Sequence, residues 1–213
     1  MSSAGAISRR RWRNFSSYPD VSAALMLEDR VADLQDGRTD IALRIGNPGS
    51  VSLIGRRIGE VRKIMVASPA YLARHGIPAC ARDLMAHQAI LFTNDANRSD
   101  RNIAGPASGR AAIPLRGRFR VNKAEAAIDA ALDGRGILRV LSYQVVPDIE
   151  AGRLQRLLPE LEPAPIPVQL VFPSALAMTG SLRAFLDFAA PRLAALPVLA
   201  PLPDAAHRIA RSG

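Results

Sequence analysis

Three histidines, one cysteine and a few glycine-rich turns are the residues of this chain with most chemistry to offer, and their spacing removes most of it. His75, His87 and His207 have no His-x-x-x-His spacing and no carboxylate or cysteine partner at metal-ligand spacing, so no metal is assigned. Gly105 to Gly109 lacks the trailing Lys-Ser/Thr of a phosphate loop, and Gly134-Arg135-Gly136 ends a helical pattern where a dinucleotide loop would begin one. Both read as turns, and no cofactor is expected. No Gly-x-Ser-x-Gly elbow occurs, and nothing in sequence pairs Cys80 with a histidine. With no catalytic residue to assign, the chain is expected not to be an enzyme.

What remains is charge. The 213 residues carry a formal net charge of +9, and nearly all of the 28 basic residues are arginine, Lys63 and Lys123 being the lysines. Arginine can pair with phosphate or an acidic partner, but GC-rich coding also replaces Lys by Arg without function. Arg9, Arg10, Arg11 and Arg13 around Trp12 read as a solvated arm more readily than as a reader of nucleic acid, since no nucleic-acid module pattern accompanies them. No apolar run approaches the roughly 18 residues of a membrane span. Asn14, Asp20, Glu28 and Asp29 interrupt any export signal behind the arginines, and the single cysteine gives no sign of an oxidising compartment, so a cytoplasmic home is expected.

The elements follow from periodicity. Val21 to Leu27 alternates as a strand; Asp29, Val31 and Leu34 then fit a helix stopped by Gly37, and Ile41 to Ile45 is a second strand. Leu53 to Ile58 and Lys63 to Ala67 are strands, and Ser68-Pro69 opens a helix that Gly76 closes. Ile90 to Phe92 is a short strand before a long polar loop from Thr93 to Arg110. Ile113, Leu115, Phe119 and Val121 alternate with Arg116, Arg118 and Arg120, giving a strand with one apolar and one basic face, an edge guarded by charge on the simplest reading. Asn122-Lys123-Ala124-Glu125 has capping-box spacing ahead of a helix ending at Gly134. Ile137 to Leu141, Leu154 to Leu158 and Val168 to Phe172 are strands; Pro147 to Ala151 and Ser181 to Leu193 are helices. Alternating strands and helices predict an α/β fold with mainly parallel sheets.

Four segments in order resemble the effector domain of LysR-type transcription regulators: Tyr18-Pro19-Asp20-Val21, the run Asp40 to Gly46 (DIALRIG), the run Val66 to Gly76 (VASPAYLARHG), and Gly134-Arg135-Gly136-Ile137. Ser52-Leu53-Ile54, Val121-Asn122 and Ala151-Gly152-Arg153-Leu154 also match, and the resemblance runs from about Tyr18 to Leu193.

The resemblance implies a two-lobed, type 2 periplasmic-binding-protein-like fold with lobes joined by two crossover strands, here Arg62 to Ser68 and Val168 to Phe172. Residues 1–17 would be a divergent arm, 18–62 plus 168–195 lobe one, 63–167 lobe two, and 196–213 a tail. A small, anionic metabolite would bind between the lobes and shift how a homodimer or larger homo-oligomer presents its DNA-binding helices. The implied effector site is Glu28, Asp29, Arg44, Ile45, Gly46, Phe92, Thr93, Asn122, Val140, Leu141 and Ser142, at strand ends, with Asn122 and Ser142 as helix starts whose amides favour a carboxylate. The implied dimer contact sets Leu25 and Leu27 of one copy near Arg116, Arg118 and Arg120 of the other. Complete family members begin with a winged helix-turn-helix, which Met1 to Ser17 does not resemble, so contact with DNA is expected only through a module outside this sequence. The competing readings are a free-standing solute-binding protein of the same fold and an Arg-rich nucleic-acid binder.

Overall fold

A computed structural model describes residues 34, 36–37, 39–47, 52–92, 102–103, 113–114, 116–176 and 179–202. The strand expected at Val21 to Leu27 and most of the helix expected after it lie outside the described residues; Leu34, expected in that helix, is a buried residue in a bend.

Along the chain come β1 (Ala42–Ile45), β2 (Leu53–Val61), β3 (Lys63–Ala67), α1 (Pro69–His75), β4 (Ala89–Phe92), β5 (Asn102–Ile103), β6 (Ile113–Pro114), β7 (Phe119–Val121), α2 (Ala124–Leu132), β8 (Ile137–Leu141), α3 (Val146–Glu150), β9 (Gln155–Leu157), β10 (Ile166–Pro173) and α4 (Gly180–Ala194). They fall into two compact units: unit one takes residues up to Val61 together with Ile166–Pro201, and unit two takes Arg62–Pro165 together with Leu202. The chain leaves unit one at the β2–β3 junction and re-enters it at the head of β10.

In unit one the strand order is β1-β10-β2, antiparallel throughout. β10 is central because its apolar run, with Val168, Leu170, Val171 and Phe172 all buried, can be hydrogen-bonded on both sides without exposing polar backbone. α4 buries Leu182, Leu186, Phe188 and Leu193, and its Asp187 pairs with Arg56 of β2 at 3.5 Å. Residues 196–201, expected to start a tail, belong to this unit: Leu196 and Leu199 are buried, and Leu199 sits so close over Gly59 that a Cβ there would lie 2.7 Å from the Leu199 carbonyl oxygen. Two leucines in that stretch have apolar area to bury, which a solvated tail would leave in water.

Unit two is built on a five-stranded sheet, order β7-β4-β8-β3-β9. β3 alternates between two cores. Met65 and Ala67 join Tyr71 and Leu72 of α1, Leu91, Ile137 and Leu157 on one face; Ile64 and Val66 join Ala127 and Ala131 of α2, Ile90, Leu138 and Val140 on the other. Burying a branched side chain of this size contributes on the order of 1.5–3 kcal/mol over leaving it exposed. The punctuation around α1 is as its sequence dictates: the Ser68 hydroxyl oxygen accepts from the Tyr71 amide at 3.4 Å, Pro69 occupies the first turn, and Gly76 at φ 83 closes the helix by donating to Leu72.

The sheets are not mainly parallel. β4 runs parallel to β7 and β8, but β3 is antiparallel to both β8 and β9, and every described pairing in unit one is antiparallel. Alternation of strands and helices counts the connections; it does not say which neighbour a strand finds, and β3 enters unit two from β2 with its direction already set.

Candidate functional site

The carboxyl ends of the three parallel strands β7, β4 and β8 lie side by side, with Phe92 opposite Val121 and Ile90 opposite Leu138. Open α/β sheets receive ligands at this end. Because β3 runs the other way, its amino end comes to the same edge, with Lys63 opposite Leu141. Phe92, Asn122, Leu141, Ser142, Arg62 and Lys63 therefore share one edge of unit two.

The side chains divide sharply in what they can do there. Phe92 is half-buried against the α2-side core, Asn122 is exposed, and Leu141 is half-buried. Val140 does not face a ligand: its side chain is 2% exposed and belongs to the core. The alternation of a strand requires this, since Leu138 and Val140 point to the same face.

Asn122 does not start a helix, and Ser142 starts only a single 3-10 turn. β7 stays extended through Val121 and the chain is still extended at Lys123 (φ −115, ψ 131), so α2 begins at Ala124, with Lys123 rather than Asn122 as the boundary and no side-chain cap. Ser142 opens a one-turn 3-10 segment, Ser142–Gln144, and its polar groups are taken up by the chain itself. Its amide donates to the Arg62 carbonyl at 2.8 Å, and its hydroxyl accepts from the Arg62 amide at 3.0 Å. Ser142 fastens β8 to the entry of β3, and its amide is not available to a carboxylate.

Arg62 and Lys63, not chosen from the sequence as ligand residues, are the cations of this edge. The Arg62 Nε is buried without a hydrogen-bond partner, as is the Gln144 Oε1 two residues beyond Ser142. An unpaired buried donor costs about 1–3 kcal/mol, so each of these groups lowers stability as it stands. The signal was there to read: two adjacent cations head a strand whose remaining residues are all apolar.

In unit one, Arg44 is half-buried, Ile45 is 42% exposed, and Gly46 ends β1 at φ 108. The Gly46 backbone is fully engaged: its amide donates to Pro167 at 2.8 Å and its carbonyl accepts from the Gln169 side chain at 2.8 Å. Gly46 thus positions Arg44 and Ile45 and offers no backbone group of its own. Glu28, Asp29 and Thr93 lie outside the described residues, as do Leu25 and Leu27.

The basic strand expected from Leu115 to Val121 is broken. Only Phe119–Val121 pairs, while Arg116, Gly117 and Arg118 are irregular, so strand spacing does not place the three guanidinium groups on one face. At the break the backbones come so close that a Cβ on Gly117 would lie 1.8 Å from the Ala89 carbonyl oxygen, and the Ala89 amide donates to the Arg116 carbonyl at 2.8 Å. Arg116, Arg118 and Arg120 are all exposed, and Phe119, expected on the apolar face, is 41% exposed.

Among the described residues no cluster of His, Cys, Asp or Glu could hold a metal ion, and no helix is long and apolar enough to cross a membrane. Two α/β units, each assembled from a sheet with helices against it, define a two-lobed domain of the periplasmic-binding-protein-like class, and solved structures agree. The regulatory domain of CrgA from Neisseria meningitidis, a LysR-type transcriptional regulator, superposes with a TM-score of 0.66 at 30% identity, covering 84% of this chain and 87% of that one. The regulatory domain of AphB from Vibrio vulnificus gives a TM-score of 0.69 at 26% identity, over 86% of this chain and 91% of that one. The LysR substrate binding domain family matches residues 13–194, and the chain belongs to that family. Among curated relatives, the HTH-type transcriptional regulator DmlR of Escherichia coli (strain K12) is 31% identical over 176 residues, 81% of this chain and 56% of the relative. The chain spans about half the length of the curated relatives it matches.

Proposed function

We propose that this chain is the effector-sensing domain of a LysR-type transcription regulator, and that its effector is a small organic anion held at the carboxyl edge of the unit-two sheet. Family membership supports the sensing role. The observation that carries the anionic reading is the arrival of Arg62 and Lys63 among the ends of β7, β4 and β8, with the Arg62 Nε buried and unpaired. Phe92, Asn122 and Leu141 would bound the ligand in unit two. The domain makes and breaks no bond in this reading; it converts ligand occupancy into a population shift that a DNA-binding module, in the same cytoplasmic regulator, reads out.

The decisive measurement is calorimetric titration of the chain with a panel of small mono- and dicarboxylates alongside their neutral amides. Carboxylates should bind and the amides should not. Arg62→Gln should weaken the carboxylate by about tenfold or more, the loss of one charge-assisted hydrogen bond. Equal binding of acid and amide would remove the anionic reading.

For assembly, we infer that Arg116, Arg118 and Arg120 contribute to a twofold contact between copies, with Leu25 and Leu27 opposite. Support comes from their shared exposure beside Phe119 at β7, the outer strand of the described sheet. Changing all three arginines to Glu should lower self-association in sedimentation; an unchanged profile would discard this contact.

A further inference from the structure

The amino edge of the unit-two sheet carries a buried cluster of titratable rings that the ligand edge does not use. Tyr71 of α1 is 1% exposed and His87, just ahead of β4, is 7% exposed. The Tyr71 hydroxyl accepts from the Gln88 amide at 2.9 Å and lies 3.2 Å from His87 Nδ1. The Gln88 carbonyl in turn accepts from the Ile137 amide at 2.9 Å, so the same hydroxyl secures the point where β4 and β8 begin. With one lone pair of its oxygen engaged by Gln88, the arrangement that also gives the phenol proton a partner has Tyr71 donating to Nδ1 of a neutral His87 whose own proton is on Nε2.

We propose that the Tyr71–His87 pair is an acid-released latch of unit two, in which protonation of His87 opens the seam between α1 and the lead-in to β4. A proton on Nδ1 would turn the acceptor into a second donor toward the same oxygen, and the phenol proton would lose its partner inside a closed core. The charge itself would stand in a site with little to receive it. From α1, His75 stacks on Tyr71 with centroids 4.3 Å apart, and Arg74 faces the phenol while donating to Gly134 at 3.0 Å. From the turn Asp83–Ala86, Asp83 supplies the facing carboxylate, already taken up by the amides of Ala79 and Cys80 at 2.8 and 3.0 Å.

The electrostatics agree with the geometry. Burial is the main cause holding the His87 pKa below the usual histidine value, with His75 adding to it and Asp83 opposing. Burial likewise pushes the Tyr71 phenol up, against smaller effects of Gln88 and Arg74, so it remains a neutral donor. The amide bonds from Ala79 and Cys80 hold Asp83 low, which keeps it ionised as the imidazole titrates. A depressed folded pKa means that the unfolded chain binds the proton first. The stabilisation is complete above about pH 6.5, the unfolded value, and is lost as pH falls toward the folded one. In that window the folding equilibrium constant should fall by up to about tenfold per pH unit.

The test is urea unfolding of the full chain between about pH 8 and 5.5, above the carboxylate range. Wild type should lose stability below about pH 6.5, with hydrogen exchange at Gln88 and Ile137 accelerating first. His87→Asn, which keeps an acceptor near Nδ1, should flatten the profile. Tyr71→Phe should lower stability at pH 8 yet give a shallower acid slope, because removing the donor to neutral imidazole raises its pKa. Histidine ring-proton NMR on wild type reads the same point without any variant, and His87 should titrate below the ordinary histidine value of about 6.5. An acid slope that persists in His87→Asn, or a wild-type His87 titrating at or above the ordinary value, would overturn the latch.

Discussion

The two edges of the unit-two sheet are made from the same strands and differ in how completely their polar groups are answered. At the amino edge, the Tyr71 hydroxyl, the His87 ring and both backbone groups of Gln88 have partners, and glycine backbones press against them. At the carboxyl edge, the Arg62 Nε and the Gln144 Oε1 are buried with none. Closure of the first is a requirement of folding. The open valences of the second lower stability.

The contrast can be broken hardest at the closed edge. A Cβ on Gly117 would meet the Ala89 carbonyl oxygen at 1.8 Å, and one on Gly136 would meet that of Gln88 at 2.5 Å. These are backbone atoms that cannot rotate away, so Gly117→Ala and Gly136→Ala should each lower the unfolding free energy by about 3 kcal/mol, the upper end of overpacking costs. Denaturant melts would show it, and a change below about 0.5 kcal/mol would mean that this edge is looser than described. At the open edge the sign reverses. Gln144→Leu removes a buried acceptor that has no partner, so it should leave stability unchanged or raise it by about 1 kcal/mol. A destabilised Gln144→Leu would show that the amide already serves the fold. The smallest effect belongs to the arginines around β7: the triple change to Glu should alter monomer stability by no more than about 0.5 kcal/mol per site, so that any loss of self-association reads as interface and not as unfolding.

The same contrast explains what the sequence made legible. The bounds of β3 and β8 and the caps of α1 were readable because each is fixed by neighbours in sequence: a continuous apolar run, or Ser68, Pro69 and Gly76 at their places. The closed edge was not, since the proximity of Gly117 to Ala89 and of Tyr71 to Gln88 depends on strands pairing across the fold. Among the candidate residues, strand-end positions were legible and helix caps were not. Phe92, Asn122 and Leu141 do end neighbouring strands, whereas the Asn122 cap failed because pairing of Val121 with Phe92 keeps the chain extended. Ser142 failed because its amide answers Arg62, eighty residues earlier, a partner no local pattern announces. The antiparallel course of β3 was hidden for the same reason.

The place of β10 at the centre of unit one carries a consequence for how the chain comes to be folded. β1 and β2 do not pair with each other; each pairs with β10, which lies more than a hundred residues later. On a ribosome releasing the chain from its amino end, Arg62–Pro165 emerges as one contiguous stretch and can close its sheet while β1 and β2 still wait for a partner. Unit two is thus set to fold early, and unit one must pass through a period in which β1 and β2 lack β10, the slow, high-separation closure that invites chaperone binding or misassociation.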